Sequence, residues 1–123
     1  MSDDVVVAVS AVRRPWAMTL RGYIQDHVQA MTAISLRDPS LVTDGEMDVD
    51  VVVVDDVVCL FDAAAIGAAT HRDIRFVGLT DDIGGRGRSY LADLGVDLIL
   101  PASTPPVDIV AAIRTLAPAP RPR

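Results

Sequence analysis

The chain predicts an α/β fold, a doubly wound five-stranded parallel sheet of order 2-1-3-4-5 with helices on both faces. Three observations predict it. Short β-branched runs alternate with helical periods along the chain, the pattern of repeated strand–helix units. The central run, Val49 to Asp55, holds four consecutive valines, costly in a helix and natural in a strand covered on both faces. Right-handed crossovers then restrict the arrangement to a doubly wound sheet.

The elements follow in order. Val5–Val9 is a buried strand bounded by polar residues. Pro15 suits a helix start, and Leu20, Ile24 and Val28 recur at a spacing of four on one helical face. Met31–Leu36 alternates larger and smaller residues as a second strand. Asp38 to Asp48 is polar, contains Pro39 and Gly45, and holds at most a short helical turn, so the second helix is short or missing. After the valine strand, Asp62 stands as the N-cap of a helix running to about Thr70. Ile74–Thr80 is the fourth strand and Asp97–Leu100 the fifth, stopped by Pro101. Between them Arg88–Leu94 is a helix ended by Gly95. Pro105-Pro106 opens a last helix with Ile109, Ile113 and Leu116 on one face. The domain therefore spans 1–117, and 118–123 is a Pro/Arg-rich tail or linker.

Composition excludes several functions. The 123 residues carry 11 cationic side chains against 17 carboxylates, a net charge of −6. Direct nucleic-acid binding is not expected from that balance. Every cation is arginine, which excludes a P-loop and Schiff-base chemistry. Cys59 is alone, so no intrachain disulfide forms. Asp50, Asp55 and Asp56 interrupt the longest apolar run, so no membrane span is expected. The acidic start lacks the basic region of a signal peptide, and a cytoplasmic location follows as an expectation. No nucleophile–base pair can be assembled, so neither an enzyme nor a cofactor is expected.

In doubly wound sheets, ligands bind beyond the carboxyl ends of the strands. That rule singles out Ser10-Ala11, Arg37-Asp38, Asp55-Asp56, Thr80-Asp81-Asp82 and Pro101-Ala102-Ser103. The chain from Val5 to Leu116 resembles the flavodoxin-like receiver domain of bacterial two-component response regulators. Asp50-Val51-Val52-Val53-Val54-Asp55 is similar to the family's third strand, whose closing aspartate is the phosphoacceptor; Asp55 falls there. Phe76 to Thr80 is similar to the fourth strand, whose terminal hydroxyl binds the phosphoryl group; Thr80 falls there. Gly95-Val96-Asp97 is similar to the stretch leading into the fifth strand.

The departures define the expected function. The two acids that would hold Mg²⁺ at the end of the first strand are replaced by Ser10 and Ala11. The lysine after the fifth strand is replaced by Ala102, and the proline four residues past the phosphoacceptor by Cys59. Asp55 is therefore expected to supply a nucleophile with no cation beside it, and Asp56 adds a like charge. An arginine brought onto Asp55 would remove that ground.

The expected pocket is Asp55 with Ser10, Ala11, Asp56, Thr80, Asp81 and Ala102, without metal. The resemblance implies a partner or dimer face on the last two helices and the fifth strand, where Tyr90, Leu91, Val107, Val110 and Arg114 are candidates. Trp16 is a further candidate anchor. Gly84-Gly85-Arg86-Gly87-Arg88 reads as a mobile loop, with an anion cradle as the alternative. Thr80 is expected to cap a loop hydrogen bond. His27 and His71 have no ligand-spaced partners in sequence.

The expected function is an atypical receiver acting without phosphorylation, as a signalling, protein-interaction or dimerisation module at the N-terminal end of a larger regulator. The alternatives are a phospho-accepting receiver of a transcriptional regulator, the localisation domain of a MinD-like ATPase, and a small-ligand sensor.

Overall fold

The computed structural model describes residues 4–10, 13–45, 47–57 and 61–117. Ala11, Cys59 and the tail at 118–123 lie outside the described residues. The elements are β1 (Val5–Val9), α1 (Pro15–His27), β2 (Met31–Ser35), α2 (Ser40–Thr43), β3 (Val51–Asp55), α3 (Ala63–Thr70), β4 (Arg75–Thr80), α4 (Arg86–Leu94), β5 (Leu98–Pro101) and α5 (Pro106–Leu116). All strand pairs are parallel and the sheet order is β2-β1-β3-β4-β5, the predicted doubly wound arrangement.

Alternation along β3 divides the core. Val51 and Val53 face one side with Val7, Val9, Val77 and Leu79, under Leu20 and Ile24 of α1 and Ile109 and Ile113 of α5. Val52 and Val54 face the other with Phe76, under Ile66 of α3 and Leu91 of α4. All four valines are fully buried, each contributing about 1.5–3 kcal/mol of transfer free energy. Phe61 meets Phe76 edge-on, with ring centroids 5.2 Å apart. The single turn of α2 covers its side only thinly, leaving Ile34, Leu41 and Met47 half-buried.

Two aspartates at strand entrances stitch the sheet. The Val6 amide donates to Asp50 Oδ2 (2.8 Å), and the Phe76 amide donates to Asp97 Oδ2 (2.8 Å). Both side chains take up amides at the sheet margin, so β3 and β5 start one residue beyond them rather than at the predicted Val49 and Asp97. Strand β5 runs through Pro101 instead of stopping before it. It is an edge strand, where the missing N–H costs no ladder bond. Val28 falls just past α1 and β2 ends at Ser35, each one residue short of the predicted limit. Asp62 caps α3 through the Ala65 amide (2.7 Å), and Gly95 ends α4 at φ +95°, a region glycine enters without strain.

Helix α4 starts at Arg86, two residues before the predicted Arg88, because its glycine-rich approach is hydrogen-bonded to Asp82. The Asp82 amide donates to Thr80 Oγ1 (3.0 Å), Asp82 O accepts from the Gly85 and Arg88 amides, and Asp82 Oδ2 accepts from the Gly87 amide. Among the described residues no helix is long and apolar enough to cross a membrane.

Candidate functional site

The carboxyl ends of β1, β3 and β4 meet at a buried acid. Asp55 is the last residue of β3 and is 1% exposed. Its Oδ2 accepts from Arg14 Nε at 2.8 Å and from the Trp16 indole Nε1 at 3.0 Å. Its Oδ1 accepts from the Val57 amide at 3.1 Å. Arg14 also leans toward the exposed Asp81, with Nη2 3.9 Å from Oδ2. Both donors come from the start of α1. Arg14 is its N-cap, Pro15 fixes the first helical φ, and Trp16 follows within the first turn.

This overturns one expectation outright. The pocket was expected to hold a carboxylate with no cation opposite, and a guanidinium lies directly on it. The arginine comes from the N-cap of α1, not from the end of the fifth strand. Trp16 is likewise not an outward-facing anchor, because its indole is committed to Asp55 and its ring packs half-buried against the core.

The other predicted residues fall around this pair. Ser10 follows β1, and both its amide and its hydroxyl donate to the Val53 carbonyl at 3.1 Å. Thr80 closes β4, buried, and its hydroxyl accepts the Asp82 amide. Asp56 is half-buried, and a Cβ built on Gly87 would collide with both Thr80 Oγ1 and Asp56 Oδ2. Glycine at 87 is thus what lets the first turn of α4 rest on the pocket. Ala102 is half-buried and donates its amide to Thr80 O (2.9 Å); it carries no charge toward Asp55.

The glycine-rich stretch is hydrogen-bonded to Asp82 at the start of α4. The carboxylate of Asp82 already sits at the α4 N-terminus, where a bound anion would go. The first-strand position that would supply a carboxylate is Ser10, with its hydroxyl turned onto a backbone carbonyl, and Arg14 holds the Asp55 oxygen. Among the described residues no three His, Cys, Asp or Glu side chains come together in a metal-binding group.

The predicted interface residues divide. Tyr90 and Val107 are exposed on α4 and α5, and Arg114 is exposed with Nη2 donating to Gln29 O (3.2 Å). Leu91 and Val110 do not belong with them. Both point inward, Leu91 over Gly78 and Val110 into the α5 side of the core, and are buried. Helical spacing explains the error, since each of these residues lies beside or close to an outward-facing position.

Two residues were missed as site members by the sequence reading. Arg14 could have been found as the cation nearest a strand end in a chain without lysine. Asp82 could have been found as the carboxylate preceding a glycine-rich helix start.

No protein-family model matches the sequence, and a search of curated proteins finds no match. Solved structures do match in fold. A putative pilus assembly-related protein from Burkholderia pseudomallei has a TM-score of 0.69 at 15% identity, over 98% of this chain and 97% of that one. The receiver domain of response regulator 1452 from Francisella has a TM-score of 0.69 at 14% identity, covering 92% and 96%. The response regulator RcsB from Salmonella typhimurium has a TM-score of 0.68 at 14% identity, covering 93% of this chain. This chain spans 60% of the RcsB chain's length. The fold is that of response-regulator receiver domains.

Proposed function

We propose that this chain is an atypical receiver that works by protein contact without being phosphorylated. The observation that supports it is the state of Asp55. Phosphoryl transfer depends on positioning and on stabilising the developing charge, most of it by metal and cation acting on the phosphoryl oxygens. Here the cation is bonded to the nucleophile itself, and two further N–H groups occupy the same carboxylate. The pair is held within one chain, so attack would first require breaking a charge-assisted hydrogen bond at a buried site.

Output then passes through a surface. Tyr90 on α4 and Val107 on α5 are large exposed side chains, and they suit a protein partner or a second copy. As a second reading, the domain serves as the localisation module of a MinD-like ATPase, favoured by the likeness to a pilus assembly-related protein over nearly the whole of both chains.

Incubation with acetyl phosphate and Mg²⁺, followed by intact-mass measurement, tests the proposal. It requires an unchanged mass. A stoichiometric gain of one phosphoryl group would establish the phospho-accepting reading instead.

A further inference from the structure

The acid pocket has two neighbours that could carry a change outward, α1 and α4, and they are attached to it differently. Helix α4 is capped by its own approach loop through Asp82, and Gly87 lies against Thr80 and Asp56 with no room for a methyl group between them. Helix α1 has no side-chain cap at Arg14. Its first turn is instead tied to Asp55 by two side chains, Arg14 and Trp16, and the Ala17 and Met18 amides both donate to the Arg14 carbonyl.

Arg14 also has a second carboxylate within reach. Asp81 Oδ2 lies 3.9 Å from Nη2, and its side chain is 77% exposed. A guanidinium can offer its Nε edge to one acid and its Nη edge to another. Arg14 thus reaches both carboxylates at once, closely to the buried Asp55 and loosely to the exposed Asp81, and an unequal pair of partners for one side chain is the starting point for a switch.

We infer that Arg14 is a two-seat switch acting on α1. Seated on Asp55, it clamps the first turn of α1 over the strand ends. When the Asp55 contact is removed, Arg14 keeps only Asp81, and the first turn of α1 loosens while α4 stays in place. This goes beyond the proposed function and holds for any partner.

The chain has one tryptophan, so its indole N–H gives a single resonance that reports on Asp55 directly. In Asp55→Asn that resonance moves. Exchange of the Ala17 and Met18 amides quickens about tenfold, the scale set by losing one hydrogen bond to a charged group. The Ser89 and Tyr90 amides of α4 keep their protection. Asp81→Asn alone leaves the indole resonance in place, and added to Asp55→Asn it quickens α1 exchange further. A change centred on α4, or a double variant identical to Asp55→Asn, overturns the inference. Should Asp55→Asn not fold, Arg14→Gln must release the same two amides. Unchanged protection there overturns the inference as well.

Discussion

Replacing Arg14 with alanine is expected to cost more stability than replacing its partner Asp55 with asparagine. Asp55 is 1% exposed, and Arg14→Ala leaves that carboxylate buried with its charge uncompensated. Stranding a buried charge costs about 3–5 kcal/mol. Among the described residues Trp16 Nε1 and the Val57 amide still donate to the Asp55 carboxylate, and the Arg14 side chain is 31% exposed, so part of the pair's energy is already screened. A loss of about 2–3 kcal/mol results, the upper range for a hydrogen bond to a charged group. Asp55→Asn keeps shape and an acceptor oxygen, and it leaves a guanidinium that can turn to water or Asp81, so its cost is about 1 kcal/mol. For a domain of this size, 1 kcal/mol corresponds to roughly 4 °C in Tm. Urea denaturation of both variants, fitted with a common slope, measures the difference. A cost for Asp55→Asn equal to or above that of Arg14→Ala would refute the reasoning. So would an Arg14→Ala variant within about 0.5 kcal/mol of the parent, the ordinary scatter of surface changes.

Gly87→Ala should destabilise by about 1–3 kcal/mol through overpacking, since its Cβ would press on Thr80 and Asp56; urea denaturation checks this, and a neutral variant would mean that α4 does not rest on the pocket. Just before α2, Asp38 accepts from the Ser40 hydroxyl (2.7 Å) and amide (3.0 Å), and these bonds hold its carboxyl below the usual value. A folded-state value below the unfolded one gives stability that is complete above the unfolded value and lost as pH falls through the folded one. The Ser40 amide resonance should therefore titrate with a midpoint below that of an ordinary aspartate; a midpoint at or above it would contradict those hydrogen bonds. Light scattering should show an apparent mass that rises with concentration, and Val107→Asp should reduce that rise while changing stability by less than about 0.5 kcal/mol. A mass independent of concentration would remove the second-copy version of the surface.

Local rules carried most of the fold. The valines of β3, the Asp62 cap, the Gly95 terminus and the single turn of α2 each follow from neighbouring residues, and each stands where the sequence places it. Element ends proved harder, because Asp50 and Asp97 spend their side chains on amides of other strands, a tertiary preference that no local pattern encodes.

The site was legible in its positions and illegible in its pairing. Ser10, Asp55, Thr80 and Ala102 all lie at strand ends, as a doubly wound sheet requires. Arg14 and Asp55 are 41 residues apart, and their contact depends on how a loop folds over the sheet. Resemblance misdirected the search, since it looked for an ammonium after the fifth strand and found Ala102. No local pattern marks Arg14 as the cation at Asp55, so the expected cation-free pocket is replaced by a guanidinium 2.8 Å from the carboxylate.

The most direct measurement is a crystal structure of the protein grown with Mg²⁺ and beryllium fluoride, an analogue of the phosphoryl group. The account predicts Asp55 still bonded to Arg14 and Trp16, with neither metal nor fluoride beside it. A beryllium fluoride group on Asp55, with Mg²⁺ seated next to it and Arg14 displaced, would contradict it.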